Sequence, residues 1–269
     1  LGNVGIGTSS PRNLLEISSS SSPTSANAAI TFDIGGTNLY TMGIDYRNPQ
    51  AFTIAQGSNL DVPVFSFNGD KIGIGVSNPS ANLQVSGNLG VAFTGNLDSS
   101  QTLYAEGRGA RMVWFPAKAA FRAGYVFGTE WDKANMGNYS VAMGHSTKAY
   151  GEGSSIGGGY KNVANGKYAT VPGGIFNQAN GDYSFAAGYQ AIAANTGSFV
   201  WSDYIPTRSE AAFTSQQANQ FIIRAENGVG IGTNDTASAS LTIKQDSETG
   251  YILKMVGGSE SSTNVVVVT

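Results

Sequence analysis

Residues 138–203 read NYSVAMGHSTKAYGEGSSIGGGYKNVANGKYATVPGGIFNQANGDYSFAAGYQAIAANTGSFVWSD. One phrase recurs in this stretch: NYSVAMG, EGSSIGG, KYATVPG, DYSFAAG and, with its glycine lost, TGSFVWS. The glycines that close the first four copies are Gly144, Gly158, Gly173 and Gly188, spaced by 14, 15 and 15 residues. Three of the intervening segments end on Ala149-Tyr150-Gly151, Ala164-Asn165-Gly166 and Ala179-Asn180-Gly181. Self-similarity at a short fixed period predicts a solenoid, in which each repeat stacks on its neighbours to bury what it cannot bury alone. Such a coil has room for two strands of about five residues and two turns, and encloses only a thin row of side chains. That interior is too small to offset the entropy of ordering the chain, so the coils are expected to pack against other chains as well.

Alternation within the phrase separates two sets of side chains. Ser140, Ala142, Ser154, Ile156, Ala169, Val171, Ser184 and Ala186 share one register, while Val141, Met143, Phe185, Phe199 and Trp201 belong to the other. Neither set carries charge. One faces the coil interior and part of the other faces a partner, but alternation alone does not say which is which.

A second repeat lies outside the first. GNVGIGTSSPRNLLEI (residues 2–17) returns as DKIGIGVSNPSANLQV (70–85) and as NGVGIGTNDTASASLTI (227–243). Val4, Ile72 and Val229 open a G-I-G triplet, and seven residues later stands Pro11, Pro79 or, as a departure, Thr236. Leu15 with Ile17, Leu83 with Val85 and Leu241 with Ile243 then alternate, which reads as strand, loop, strand. The glycines are not a dinucleotide fingerprint, because the third glycine is missing and no helix pattern follows. Gly166-Lys167 fails as a phosphate loop for a similar reason: Tyr168 stands where Ser or Thr is needed.

The remaining chain falls into place around these repeats. Residues 1–86 read as one or more small antiparallel β modules built on the GIG motif, with short strands at 29–34, 39–44, 51–55 and 62–67. Asn68-Gly69 is a hairpin signal with positive φ at both central residues. Serines 18–22 and Pro23 form an exposed loop. Residues 87–122 read as a neck or connector: the apolar run 112–115 ends at Pro116, and 118–122 forms a short helical turn. Arg108, Arg111, Lys118 and Arg122 there either engage an acidic glycan or hold subunits in register. Residues 123–203 are the β-roll repeat domain, 204–226 a polar connector containing Pro206, and 227–269 the start of a further GIG module. Because the valines 265–268 end in an apolar run, the chain is expected to start and finish within modules.

Composition limits the function classes. Of 269 residues only 12% are charged, the formal net charge is -3, and there are 36 glycines and no cysteine. The balance offers no basic stripe for nucleic acid or an anionic membrane. No stretch approaches the ~20 apolar residues of a membrane span. Without cysteine and with one histidine, His145, a single chain offers no zinc or Cys-His site. His145 reads as a turn residue, in the place taken by Gly159, Gly174 and Tyr189 in other coils.

Taken together, the GNVGIGTSSP and NGVGIGT units, the lead-in GARMVWFPAKAAFRAGYVFGTEWD, the YSVAMG coils and the SFVWSD and NQFIIRAENGVGIGT segments resemble tail-fibre-domain proteins of phages and bacteria. The coils are similar to the head repeats of trimeric autotransporter adhesins. The resemblance implies an all-β fold: an elongated homotrimeric fibre with a left-handed parallel β-roll flanked by small antiparallel modules. It further implies an extracellular place, on a virion tail fibre or a cell-surface appendage, with further modules of the same fibre and a host-surface glycan or protein receptor as partners. Members often end in a self-cleaving chaperone domain, which these residues do not contain. Pro172, Gly159, Gly174 and Ser202 depart from the regular coil phrase.

The expected function is therefore structural and adhesive, with no catalytic, cofactor-binding or metal residue assigned. Two other readings stand beside it. A pure spacer would lack only the binding, and a tailspike-like glycan depolymerase would need two carboxylates. Glu130, Asp132, Glu152, Asp182, Asp203 and Glu210 are the candidates, with no pair singled out. Tyr139, Tyr150, Tyr160, Tyr168, Tyr183 and Tyr189 either stack on sugars or seal subunit contacts.

Overall fold

The structure is a computed structural model and describes residues 2–19, 27–33, 35, 39–45, 51–57, 60–88, 90–98, 100–204, 212–231 and 241–243. It is all-β, built from several sheets. Contacts divide the chain into two units, Leu1–Phe93 and Thr94–Thr269.

In the first unit β1 (Val4–Ile6) and β2 (Leu15–Ile17) pair parallel across a short loop. Then come β3 (Ala28–Phe32), β4 (Tyr40–Ile44), β5 (Ala51–Gln56), β6 (Val62–Asn68), β7 (Lys71–Ile74) and β8 (Leu83–Val85), which form one six-stranded sheet in that order. β3 to β7 are an antiparallel meander, but β7 and β8 pair parallel. The expectation of a wholly antiparallel module is corrected at both GIG motifs.

These motifs share their hydrogen bonds as well as their sequence. Val4 N–H donates to Leu14 O and Ile72 N–H to Asn82 O, each at 2.8 Å, while Ser18 and Ser86 return the bond to Ile6 and Ile74. Glu16 and Gln84 hold equivalent places and accept the N–H of Arg12 at 2.6 Å and Ser80 at 2.8 Å. The loop is thus pinned by a side chain from its own second strand. The β6–β7 hairpin turns on Gly69-Asp70 and not on Asn68-Gly69, since Asn68 is already paired with Lys71. Only Gly69 has positive φ, as a turn with glycine in first place requires.

The six-stranded sheet buries its small side. Thr41, Thr53, Ala51, Ala55 and Ser66 are buried, and Thr41 Oγ1 donates to Gly57 O at 2.8 Å. The other side holds Met42, Ile54 and Phe65 in one row and Ile44, Phe52 and Phe67 in the next. Phe52 and Phe67 are exposed on this uncharged side.

The second unit opens with a hairpin, β9 (Gly109–Phe115) and β10 (Ala120–Val126), turned by a single 3-10 segment at Pro116–Lys118. The helical turn expected at 118–122 therefore sits earlier, where proline can start it, and 120–126 is strand. From here the chain alternates between two sheets. β11 (Val141–His145) is followed by β12 (Lys148–Ala149), β13 (Ser155–Ile156), β14 (Val163–Ala164), β15 (Thr170–Val171), β16 (Gln178–Ala179), β17 (Phe185–Gly188), β18 (Ala191–Ala193), β19 (Phe199–Ser202), β20 (Phe213–Thr214) and β21 (Phe221–Arg224). The odd-numbered strands from β9, together with β10, make an eight-stranded sheet, and the even-numbered strands from β12 a five-stranded one. From β10 onward every pairing in both is parallel, each strand lying on the one from the preceding repeat. The third GIG motif closes the unit as β22 (Val229–Ile231) parallel to β23 (Leu241–Ile243).

Alternation is now resolved. Ser140, Ala142, Ser154, Ile156, Ala169, Val171, Ser184 and Ala186 are all buried and face inward, where they meet Ala149, Ala164, Ala179 and Ala193 from the other sheet. The interior is one side chain thick and holds Ser, Ala, Val, Ile and Asn but no aromatic ring. Asn162 and Asn177 complete the interior. Asn177 Nδ2 donates to Gly173 O and Gly188 O at 3.0 and 2.7 Å, and its Oδ1 accepts Ala191 N–H at 2.9 Å. Asn162 repeats the pattern one coil earlier, with its Oδ1 accepting Asn177 N–H at 2.9 Å.

Both ends of this interior finish on arginine. Arg122 is fully buried and donates to the carbonyls of Phe121, Ser140 and Ala149 and to the Ser140 hydroxyl, at 2.8 to 3.1 Å. At the level of β10 the five-stranded sheet has no strand, so the guanidinium supplies donors that a missing rung would have given. Burial lowers its pKa to about 10. Beside it Phe115, Val126, Trp131 and Met136 form a second apolar cluster, in which Trp131 Nε1 donates to Thr147 O at 2.9 Å. At the far end Arg224 donates to Ser202 Oγ at 2.6 Å and pairs with Asp203 at 3.4 Å.

The register of the coil glycines also differs from the expected one. His145, Tyr160, Ile175 and Tyr189 are bridged to one another, so His145 corresponds to Tyr160 and not to Gly159. The left-handed glycines are Gly144, Gly159, Gly174 and Gly188, whereas Gly158 and Gly173 are the extra residues of their coils. A Cβ on Gly174 would collide with Gly188 O of the next coil, but one on Gly158 or Gly173 would meet nothing.

Residues 20–23, Pro206, Glu210, Thr236 and the tail at 244–269 carry expectations from the sequence and lie outside the described residues.

Candidate functional site

The outward side of the eight-stranded sheet is uncharged along two adjacent rows. Trp114, Phe121, Val141, Ser155, Thr170, Phe185, Phe199 and Phe221 are joined in register across all eight strands. Phe185, Phe199 and Phe221 stack at 4.6 and 4.5 Å. A second row runs Met112, Ala123, Met143 at one end and Ala187, Trp201, Ile223 at the other. No Asp, Glu, Lys or Arg stands in either row, and Met112 is 74% and Phe221 68% exposed. The opposite side of the molecule differs, for the five-stranded sheet turns Lys148, Val163, Gln178, Ile192 and Thr214 outward.

Two aromatic columns flank the apolar rows. In the first, His145 lies 5.3 Å from Tyr125 and 4.8 Å from Tyr160, and Tyr160 lies 5.4 Å from Phe176. Phe176, Tyr189 and Tyr204 continue it. Arg108 donates to the Tyr125 hydroxyl at 2.7 Å, and Lys161 lies 5.2 Å over Tyr160. His145 is thus a strand residue among rings, with its Nε2 buried and unbonded, and not a surface turn residue. Tyr160, Phe176, Tyr189, Trp201 and Tyr204 border a groove of ≈ 700 Å³ that Gly174, Gly188, Ser202 and Asp203 also line.

The second column holds Tyr139, Tyr168 and Tyr183. All three have positive φ and exposed rings, and Tyr168 and Tyr183 stack at 5.7 Å with 13° between their planes. Tyr150 belongs to neither column, since its hydroxyl hydrogen-bonds to Asn135 Oδ1 at 2.6 Å. The six tyrosines that look alike in the sequence therefore fall into three settings: Tyr160 and Tyr189 in the first column, Tyr139, Tyr168 and Tyr183 in the second, and Tyr150 apart from both.

Among the described residues the charged candidates do not form a common centre. Asp132 accepts Gly107 N–H at 2.6 Å, Glu130 accepts Gly128 N–H at 2.9 Å and Asp182 accepts Lys167 N–H at 2.8 Å. Glu152 pairs with Lys167 at 3.7 Å and Asp203 with Arg224. Among the described residues no cluster of three His, Cys, Asp or Glu side chains could hold a metal ion, and no helix is long and apolar enough to cross a membrane. The basic residues of the connector are each tied down within the chain. Lys118 donates to the carbonyls of Lys133 and Met136, and Arg111 lies 6.0 Å over Trp131. Burial first, and then the charges of Lys133 and Arg122, lowers the Lys118 pKa.

No family model matches the chain, and no curated protein or solved structure matches it either.

Proposed function

We propose that the chain is one of three identical subunits in an extracellular fibre, a structural and adhesive segment that presents a receptor-binding surface. The observation that carries this reading is the inversion of size across the sheets. In the six-stranded sheet and along the coils the buried rows hold no aromatic side chain, while large uncharged residues, Phe52 and Phe67 in one unit and Met112, Trp114 and Phe221 in the other, are left exposed on the outward rows. Contiguous apolar surface of this kind marks an interaction site. Two ladders of short parallel strands with one small-residue row between them fit a β-roll of 14- or 15-residue coils. The left-handed sense, the number three and the place on a virion tail fibre or surface appendage rest on the sequence resemblance. Copies of one chain are the favoured partner because a row such as Phe185, Phe199 and Phe221 complements itself about a symmetry axis.

Light scattering on the purified chain is the test. Three times 27.9 kDa is expected, and a stable monomer overturns the reading. Phe199→Asp should reduce the mass to that of one chain, because it places three carboxylates in an apolar contact.

A further inference from the structure

The groove bordered by Tyr160, Phe176, Tyr189, Trp201 and Tyr204 has a volume of ≈ 700 Å³, within the range of about 300–1,000 Å³ in which small-ligand sites fall. Two of its other lining positions are bare by necessity: a Cβ on Gly174 would collide with Gly188 O, and one on Gly188 with Ser202 O. Its rings meet edge to face, with 5.4 Å between Tyr160 and Phe176, 6.5 Å between Phe176 and Tyr189 and 4.8 Å between Tyr189 and Tyr204. Aromatic pairs prefer this geometry, so the wall is held in one arrangement before a ligand arrives.

The polar atoms of that wall are unused. Among the described residues the hydroxyls of Tyr160, Tyr189 and Tyr204 and the Trp201 indole N–H have no hydrogen-bond partner, whereas those of Tyr125, Tyr150 and Trp131 are bonded within the chain. Four residues on one groove therefore offer apolar faces together with free polar tips. A sugar needs both, for its C–H groups and its hydroxyls.

Charge narrows the class. Asp203 Oδ2 accepts Glu226 N–H at 2.6 Å, and its Oδ1 lies 3.4 Å from Arg224, so that carboxylate is already balanced. Lys161 is not: its Nζ lies 5.2 Å over the Tyr160 ring and 5.9 Å over Phe176, and among the described residues it has no acidic partner. An uncompensated positive charge beside two lining rings opposes a cationic ligand and favours a carboxylate. We propose that the groove binds a short stretch of an acidic polysaccharide, with a uronic acid carboxylate at Lys161 and neighbouring sugar rings against Tyr189, Trp201 and Tyr204. The proposal gives the adhesive reading its ligand class and rests on it for its biological sense.

The test is calorimetric titration and saturation-transfer NMR of the full chain with oligogalacturonates and hyaluronan oligosaccharides, against maltooligosaccharides of equal length, with light scattering and circular dichroism on every variant. At least one acidic series is expected to bind, with an affinity that falls as salt is added, and the neutral series about threefold or more weakly. Tyr189→Ala should weaken binding roughly tenfold, the worth of an aromatic contact, and Tyr189→Phe less. Lys161→Gln should weaken it about threefold and flatten most of the salt dependence. Lys167→Gln, beside the other tyrosine column, should leave it unchanged. Should Tyr189→Ala not fold, the exposed Lys161→Gln change carries the test by itself. Absence of binding to both acidic series, equal binding of the neutral one, or a salt dependence that survives Lys161→Gln overturns the proposal. So does a folded Tyr189→Ala protein that binds undiminished or falls to single chains, since in the latter case the groove is a subunit contact. A parent chain that is monomeric yet binds through Tyr189 and Lys161 keeps the groove and removes only the fibre.

Discussion

The coils of the second unit and the six-stranded sheet of the first solve the same problem differently. In the coils the buried row lies between two sheets of the same chain, so Ala142, Ile156, Val171, Ala186 and Val200 are wholly covered without help. The six-stranded sheet covers only its small side, and Ile54 with Phe52 and Phe67 face out from the other. The difference teaches that two sheets of one chain can cover the row between them completely, whereas a single sheet leaves the large apolar residues of its other side exposed.

That contrast can be broken most forcefully at Gly174. Gly174→Ala puts a methyl group against Gly188 O at φ +89°, and should destabilise the coils by about 3 kcal/mol in chemical denaturation. The effect should appear at every protein concentration, because the clash is within one chain. A next smaller effect is expected in the asparagine ladder. Asn177→Ala leaves the Ala191 N–H and the Gly173 carbonyl without their side-chain partner, while Gly188 O keeps its bond from Ile175 N–H, and should cost about 2 kcal/mol. Thr147 holds the same place one coil before Asn162, and its hydroxyl is buried and unbonded. Thr147→Asn should extend the ladder and raise stability by about 1 kcal/mol in the same assay. The smallest intrachain effect belongs to the first unit. Phe52→Ser should cost the single chain less than about 1 kcal/mol, because the residue is 36% exposed and loses only its cross-strand contacts with Ile44 and Phe67. At concentrations where chains assemble, the same substitution should lower the melting temperature, and an unchanged value would remove the six-stranded face from the contact.

How much of this could be read beforehand follows from which residues speak unambiguously. The period of the coils and the three GIG motifs were plain, because glycine and proline mark turns wherever they recur. The inward register was not, since a row of Ser and Ala opposite a row of Val, Phe and Trp is uncharged on both sides. Steric room decided it, and that is a property of two sheets and not of one strand. The glycine register slipped at Gly157-Gly158-Gly159 and Pro172-Gly173-Gly174, where consecutive small residues allow two alignments and only the ladder picks one. Parallel pairing inside the GIG motif was hidden because parallel strands usually need a longer crossover. The tyrosines could be named from the sequence, but their division could not, because only the register between coils places Tyr160 and Tyr189 in one column and Tyr168 with Tyr183 in another.

Proline at position 172 has a mechanical consequence. It carries no N–H, and β15 meets β17 through a single register pair, Thr170 with Phe185, whereas β17 and β19 share four. Tension applied along the succession of these strands loads their bonds in series, so failure begins at the least connected step. A pulled chain would part between the third and fourth coils and leave the better-knit block from β17 to β21 intact, with Tyr183 at its torn edge.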